Sequence, residues 1–236
     1  MEAAAGVEGW LSEDQARRLW QRARSAERIV EIGSYRGRSA IVMARAAGDG
    51  AELVAIDPHA GNDRGPREIE GSAEDGESDF HAFRANLERA GVGSRVRHVR
   101  LPSQDALDAV EGELDLLYVD GAHRYGPARD DLRRWGRRVR PGGHMLVHDS
   151  FASLGVTLAI TRLLVAGGEF RYLGRAGSLA EYVRERLSGR QRVANALRQL
   201  RELPWFARNL AVKLALVLGL RPLARLLGHR DGPWPY

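Results

Sequence analysis

The stretch Arg28-Ile29-Val30-Glu31-Ile32-Gly33-Ser34-Tyr35-Arg36-Gly37-Arg38-Ser39 decides how this chain is read. A short β-branched run carries Glu31, a glycine turn follows, and the small residues from Ser39 to Ala47 continue with helical character. Strand, turn and helix start in this order form the geometry by which a doubly wound α/β sheet receives a nucleotide-like ligand. Downstream, a second run, Glu52 to Ile56, ends at Asp57. A carboxylate at that strand tip is placed to accept hydrogen bonds from both hydroxyls of a ribose, so the pair points to a nucleoside.

The same turn argues against a dinucleotide. Pyrophosphate binding at a helix start uses G-x-G-x-x-G. Here Tyr35 stands at the second glycine position, leaving Gly33 and Gly37. Glu31 also sets a negative charge where a pyrophosphate would be repelled and a cation welcomed. S-adenosylmethionine, a nucleoside carrying an amino group and a sulfonium, meets both requirements.

A chain of 236 residues accommodates one α/β domain plus an appendage. It has no cysteine, which excludes disulfides, thiolate metal sites and a cysteine nucleophile. Residues 1–9 show neither the basic nor the apolar region of a secretion signal, so a cytoplasmic enzyme is expected. The net charge of +5 is uneven: residues 185–236 hold 10 Arg/Lys against 3 Asp/Glu, or +7, leaving −2 for the rest. Without a basic stripe interleaved with aromatics in residues 1–184, nucleic acid is not an expected partner.

Strands are expected at 28–32, 52–56, 95–99, 114–119, 143–148, 169–174 and 178–183. Helices are expected at 12–25, where Ser12-Glu-Asp-Gln15 reads as a capping box, and near 38–47, 78–90, 103–110, 126–138 and 151–166. Alternation of the two implies a mostly parallel Rossmann-like sheet with helices on both faces. The short turn Arg175-Ala-Gly177 makes the last two strands an antiparallel hairpin. The segment 61–79, with 7 Asp/Glu against 2 Arg, reads as an acidic loop, either a lid over the substrate or a solvated insertion. The domain is expected to span 1–184, followed by a basic amphipathic helical tail at 185–236.

Three motifs in order carry a resemblance to a known family. Glu31 to Ser39, Val119-Asp-Gly-Ala-His-Arg-Tyr125 and Val139-Arg-Pro-Gly-Gly-His-Met-Leu-Val-His-Asp149 resemble class I S-adenosylmethionine-dependent methyltransferases, over roughly residues 25 to 184. The resemblance implies the seven-stranded methyltransferase fold. It also implies cofactor contacts from Glu31, Gly33, Ser34, Tyr35, Gly37, Ser39 and Asp57, with Asp120 beside the cleft. The region of Ser103, Gln104 and Asp105 would flank the adenine, although Ser103 equally suits a helix N-cap.

Asp120 and Asp149 end adjacent strands at the ligand-binding edge, with His148 next to Asp149. Two carboxylates there suit a cation such as Mg²⁺ that lowers the pKa of a substrate hydroxyl, or they hydrogen-bond loop amides or substrate. His148 stands where clearly metal-dependent relatives carry a second acidic residue. His123 is the candidate general base, or a histidine that holds its turn. Tyr125 is a weaker candidate for substrate contact, and His59 could line the cofactor pocket.

In the tail, the apolar run Leu210 to Leu220 is shorter than the ~20 residues of a bilayer span. With Trp205, Phe206, Trp234 and flanking arginines it suits a helix in a membrane interface, or a helical pair packed on the domain or on a second subunit of a homo-oligomer. The expected activity is O-methylation of a hydroxyl on a small-molecule acceptor: a sugar, lipid or secondary metabolite. The competing reading is a non-catalytic S-adenosylmethionine-binding module, or a peripheral membrane protein on the same fold.

Overall fold

The computed structural model describes residue 4 and residues 6–61, 63–64, 69–70 and 72–229. Trp234, and much of the acidic segment between residues 61 and 72, lie outside the described residues. The strands are β1 (Arg28–Ile32), β2 (Glu52–Ile56), the two-residue β3 (Asp63–Arg64) and β4 (Ile69–Glu70), β5 (Val96–Val99), β6 (Leu114–Val119), β7 (Val139–Val147), β8 (Phe170–Ala176) and β9 (Leu179–Arg184). The helices are α1 (Glu13–Ala23), α2 (Arg38–Ala46), α3 (Ala73–Arg89), α4 (Tyr125–Arg134), α5 (Leu154–Ile160), α6 (Gly189–Leu200), α7 (Leu203–Val217) and α8 (Arg221–Leu226).

Seven strands form one sheet in the order β5-β2-β1-β6-β7-β9-β8. The first five run parallel, while β9 is antiparallel to both β7 and β8, the expected terminal hairpin. Apolar side chains of alternating parity leave the sheet on opposite faces. Ile29, Leu53, Leu116 and Leu146 join α1 and α2 in one core; Val30, Val54, Leu117 and Met145 join α4 and α5 in the other. The strand order reverses beside β1, so the C-terminal ends of β1 and β6 open the crevice where ligands bind in such sheets.

Several local outcomes differ from the pattern-based expectation, among them β7, which begins at Val139 rather than 143, and α4, which ends at Arg134. Helix α3 begins at Ala73, because Ser72 and Asp75 cap its first turn reciprocally; the acidic stretch is therefore helical from there on. Residues 103–110 form two short 3-10 turns in place of a helix. Helix α5 starts only at Leu154, since Asp149 and Phe151 adopt left-handed backbone angles (φ 52° and 56°) that no α-helix contains.

The tail docks on the sheet edge through polar residues. Asn195 of α6 accepts from the Tyr172 amide (2.7 Å) and donates to the Phe170 carbonyl (3.0 Å). Gln199 accepts from the Tyr182 hydroxyl (3.2 Å), and Glu202 pairs with Arg175 at 2.7 Å. Asn209 of α7 donates to the carbonyl of Phe151 (3.2 Å).

Candidate active site

Glu31 lies inside β1, paired in register with Ala55 and Tyr118, and is fully buried. Ser39, in the first turn of α2, donates its hydroxyl to Glu31 Oε1. Glu31 Oε2 and Ser34 Oγ are both buried and have no hydrogen-bond partner. Burial pushes the Glu31 carboxyl up to about 8; the hydrogen bond from Ser39 pulls against that rise, and Asp120 and Asp57 add to it. A carboxyl so placed is mostly neutral at pH 7 and becomes charged when a cation arrives beside it. An unpaired acceptor and an unpaired hydroxyl under a helix start fit an ammonium-bearing ligand.

The turn above Glu31 is built by close approach. Gly33 has φ +82°, and a Cβ there would sit 2.0 Å from the carbonyl oxygen of Asp120. Gly37 caps α2 in the left-handed region. Asp57, assigned from sequence to a ribose, also organises this loop. Its Oδ2 accepts the amides of Ser34 (2.8 Å) and Tyr35 (2.9 Å), and its Oδ1 accepts that of His59 (2.8 Å). A carboxylate offers about four acceptor positions, so Oδ1 retains capacity for one hydroxyl.

The remaining candidates from the sequence make contacts of their own. The Tyr35 ring packs on Trp10 (centroids 5.2 Å), and its hydroxyl donates to Glu8 at 3.0 Å. Arg36 joins Glu8 to Asp79 of α3, so the N-terminal arm is fastened across the loop. Ser103 donates to Asp131 of α4, while Gln104 is exposed. Burial lifts Asp131 to about 6. His59 sits among Phe80, Phe83 and His98, joining α3 to the sheet. Tyr125 is exposed, with Arg129 near its ring.

Asp120, His123, His148 and Asp149 converge, as their strand-end positions predict. His123 Nε2 lies 2.6 Å from Asp149 Oδ2. His148 Nδ1 is 3.2 Å from Asp120 Oδ1 and 3.4 Å from Asp149 Oδ2. Tyr118, two residues before Asp120, donates its hydroxyl to Asp120 Oδ2 at 2.7 Å. The spacing of two that puts Tyr118 and Asp120 on one side of β6 is the signal that identifies it. Burial alone would lower the His148 pKa, but Asp120 and Asp149 outweigh it and raise it well above the ordinary value. Burial likewise opposes ionisation of Asp149, and His148 with His123 overcomes it, holding the carboxyl far below its usual range. A small pocket is walled by Val119, Asp120, His123, Val147 and His148.

One ligand atom from each of Asp120, His123 and Asp149 lies within 4.8 Å of the others. Two carboxylates and an imidazole form a mixed O/N set that accepts a divalent cation, whereas Mg²⁺ prefers oxygen throughout. The geometry therefore supports either of two uses of His123, as a base oriented by Asp149 or as a ligand.

The profile of the family described as "Methyltransferase domain" matches residues 30–150. The y4gI protein of Sinorhizobium fredii is 33% identical over 127 residues, covering 52% of this chain and 13% of that protein. A catechol O-methyltransferase of Mycobacterium tuberculosis is 30% identical over 135 residues, covering 57% and 52% respectively. The chain thus spans about half the length of the second and a small part of the first. Among solved structures, the O-methyltransferase TomG of Streptomyces achromogenes, in complex with SAM, superposes with a TM-score of 0.59 at 20% identity, over 78% of this chain and 90% of that one. An O-methyltransferase of Bacillus cereus, in complex with SAH, gives 0.56 at 21% identity, over 77% and 86%. At these identities the structural likeness establishes the fold.

Proposed function

The chain belongs to the methyltransferase-domain family, and from that premise we propose that it catalyses S-adenosylmethionine-dependent O-methylation of a hydroxyl on a small sugar, lipid or secondary metabolite. The observation that carries this reading is the pair of buried, unpartnered atoms, Glu31 Oε2 and Ser34 Oγ, beneath the Gly33–Gly37 turn. They fit the ammonium end of the cofactor, and the remaining acceptor position of Asp57 Oδ1 fits a ribose hydroxyl. When bound, the cofactor supplies an electrophilic methyl group on a sulfonium leaving group.

The residues of this chain then have two tasks, positioning and proton removal. Asp57 holds the loop amides of Ser34 and Tyr35 in place, so the cofactor cradle is set before binding. His123 takes the acceptor's hydroxyl proton at its imidazole, and Asp149 orients the ring and stabilises the imidazolium that forms. His148, packed against Asp149, helps hold that carboxyl far below its usual range, so Asp149 does not compete for that proton.

A second reading rests on the 4.8 Å cluster of Asp120, His123 and Asp149. There those residues hold a divalent ion, which when bound would lower the pKa of the acceptor hydroxyl. Incubating the protein with labelled S-adenosylmethionine and a panel of hydroxylated acceptors, with and without EDTA, tests both. EDTA-resistant transfer selects the His123 base and chelator-sensitive transfer the ion. Cofactor binding without transfer to any acceptor would favour a non-catalytic binding module.

A further inference from the structure

Helix α7 is apolar on its outward face as well as on its inward one. Its buried residues are Asn209, Val212 and Ala215. Its exposed residues, Leu203, Pro204, Ala207, Leu210, Ala211, Leu214 and Val217, are all apolar. Leu203, Leu210, Leu214 and Val217 recur at helical spacing, so they form one stripe roughly 22 Å long. Neighbouring helices repeat the feature: Leu197 of α6 is 55% exposed and Leu226 of α8 is 82% exposed. The exposed arginines Arg190, Arg198, Arg201 and Arg221 stand on the same three-helix segment, where 8 Arg/Lys face a single acidic residue, Glu202.

A continuous apolar face of this kind marks an interaction surface, and its charge selects the occupant. The described carboxylates of the tail are Glu185 and Glu202, and both are already paired, with Arg171 and Arg175 of β8. Two copies meeting through this face would therefore oppose arginine to arginine, with no tail carboxylate offered in return. An anionic bilayer satisfies both components: leucines enter the acyl boundary, and guanidinium groups meet lipid phosphates. No described helix is long and apolar enough to cross a membrane, so the segment would lie in the plane of the interface.

We propose that the outward face of α6–α8 is a docking surface for an anionic lipid bilayer. The inference stands independently of methyl transfer. Its placement matters to the site nonetheless, because Asn209 of α7 holds the carbonyl of Phe151, two residues beyond Asp149. Docking would set the acceptor cleft at a fixed height above the lipid surface.

Flotation of the full chain with phosphatidylcholine vesicles, and with vesicles that also contain phosphatidylglycerol, tests this. The protein is expected to float with the anionic vesicles, less so at high salt, and not with the neutral ones. Leu210→Glu with Leu214→Glu should abolish flotation, as should Leu226→Glu alone if the paired change disturbs folding. Neutralising Arg190, Arg198 and Arg201 to Gln should lower partitioning about a hundredfold, from roughly fivefold per surface cation. Unchanged melting and cofactor affinity in these variants separate loss of docking from loss of fold. Failure to float with anionic vesicles, or flotation unaffected by the leucine changes, overturns the proposal. So does a lipid-free dimer, seen by sedimentation, that the leucine variants dissociate, since it would make the occupant a second copy.

Discussion

Replacing Glu31 with Gln tests how the cofactor is recognised. With its carboxyl near 8, Glu31 is roughly half ionised at pH 8, about a tenth at pH 7 and about a hundredth at pH 6. If the cofactor's ammonium needs the carboxylate, binding must expel that proton, at a cost of about 2.7 kcal/mol at pH 6 and about 0.4 at pH 8. Affinity should therefore rise about fiftyfold from pH 6 to pH 8, with release of about one proton per site at pH 6. Calorimetry with S-adenosylhomocysteine, in two buffers of different ionisation heat, reads both quantities. Glu31→Gln should abolish the pH slope and weaken binding at pH 8 by about ten- to a hundredfold, the worth of a hydrogen bond to a charged group. At pH 6 variant and parent should nearly coincide. The sign for stability is opposite. The folded pKa lies above the unfolded value, so Glu31 disfavours folding increasingly as pH rises from about 4.5 to 8. The variant should gain in relative melting temperature over that window. A parent affinity that is flat from pH 6 to 8, or a slope retained in Glu31→Gln, would refute the assignment of Glu31 to the ammonium.

Three further outcomes are expected. Asp57→Ala should weaken cofactor binding at least tenfold and also lower the melting temperature, because the amides of Ser34, Tyr35 and His59 lose their acceptor; unchanged calorimetry would remove Asp57 from the site. His123→Ala should reduce turnover by about 10²–10⁴ with cofactor affinity nearly unchanged, since proton removal matters only on the way to the transition state; full activity in both His123→Ala and Asp149→Ala would exclude the base and the metal-ion versions together. Asn195→Leu should destabilise the whole domain by about 1–3 kcal/mol in urea titration, because the Tyr172 amide and Phe170 carbonyl would be left buried and unpaired; a parent-like midpoint would mean that α6 contributes little to the stability of the sheet.

Much of the fold was legible because its signals are local. The runs 28–32, 52–56 and 114–119 are β-branched or leucine-rich and bounded by turn residues, and the structure makes them strands with those same limits. The capping box at Ser12 likewise announced α1. The convergence of Asp120 and Asp149 followed from the same logic, because residues that end adjacent parallel strands must share one edge. The start of α3 was also written locally, in Ser72 and Asp75, but acidic composition masked it.

What the sequence could not show depends on partners far along the chain. Asp57 reads as a free strand-tip carboxylate, yet folding delivers the amides of Ser34 and Tyr35 to it from over twenty positions away. Tyr35 reads as part of a cofactor loop, but Trp10 and Glu8 draw its side chain to the N-terminal arm. His148 reads as a missing carboxylate, whereas in the folded site it is a buried imidazole lodged between two carboxylates. The tail is the plainest case. Hydrophobic periodicity turns the leucines of a helix inward, and α7 instead buries Asn209 beside Val212 and Ala215, because the buried carbonyl of Phe151 needs a donor. Periodicity identifies an apolar face, but only the tertiary structure decides whether that face meets the core or is left for something outside.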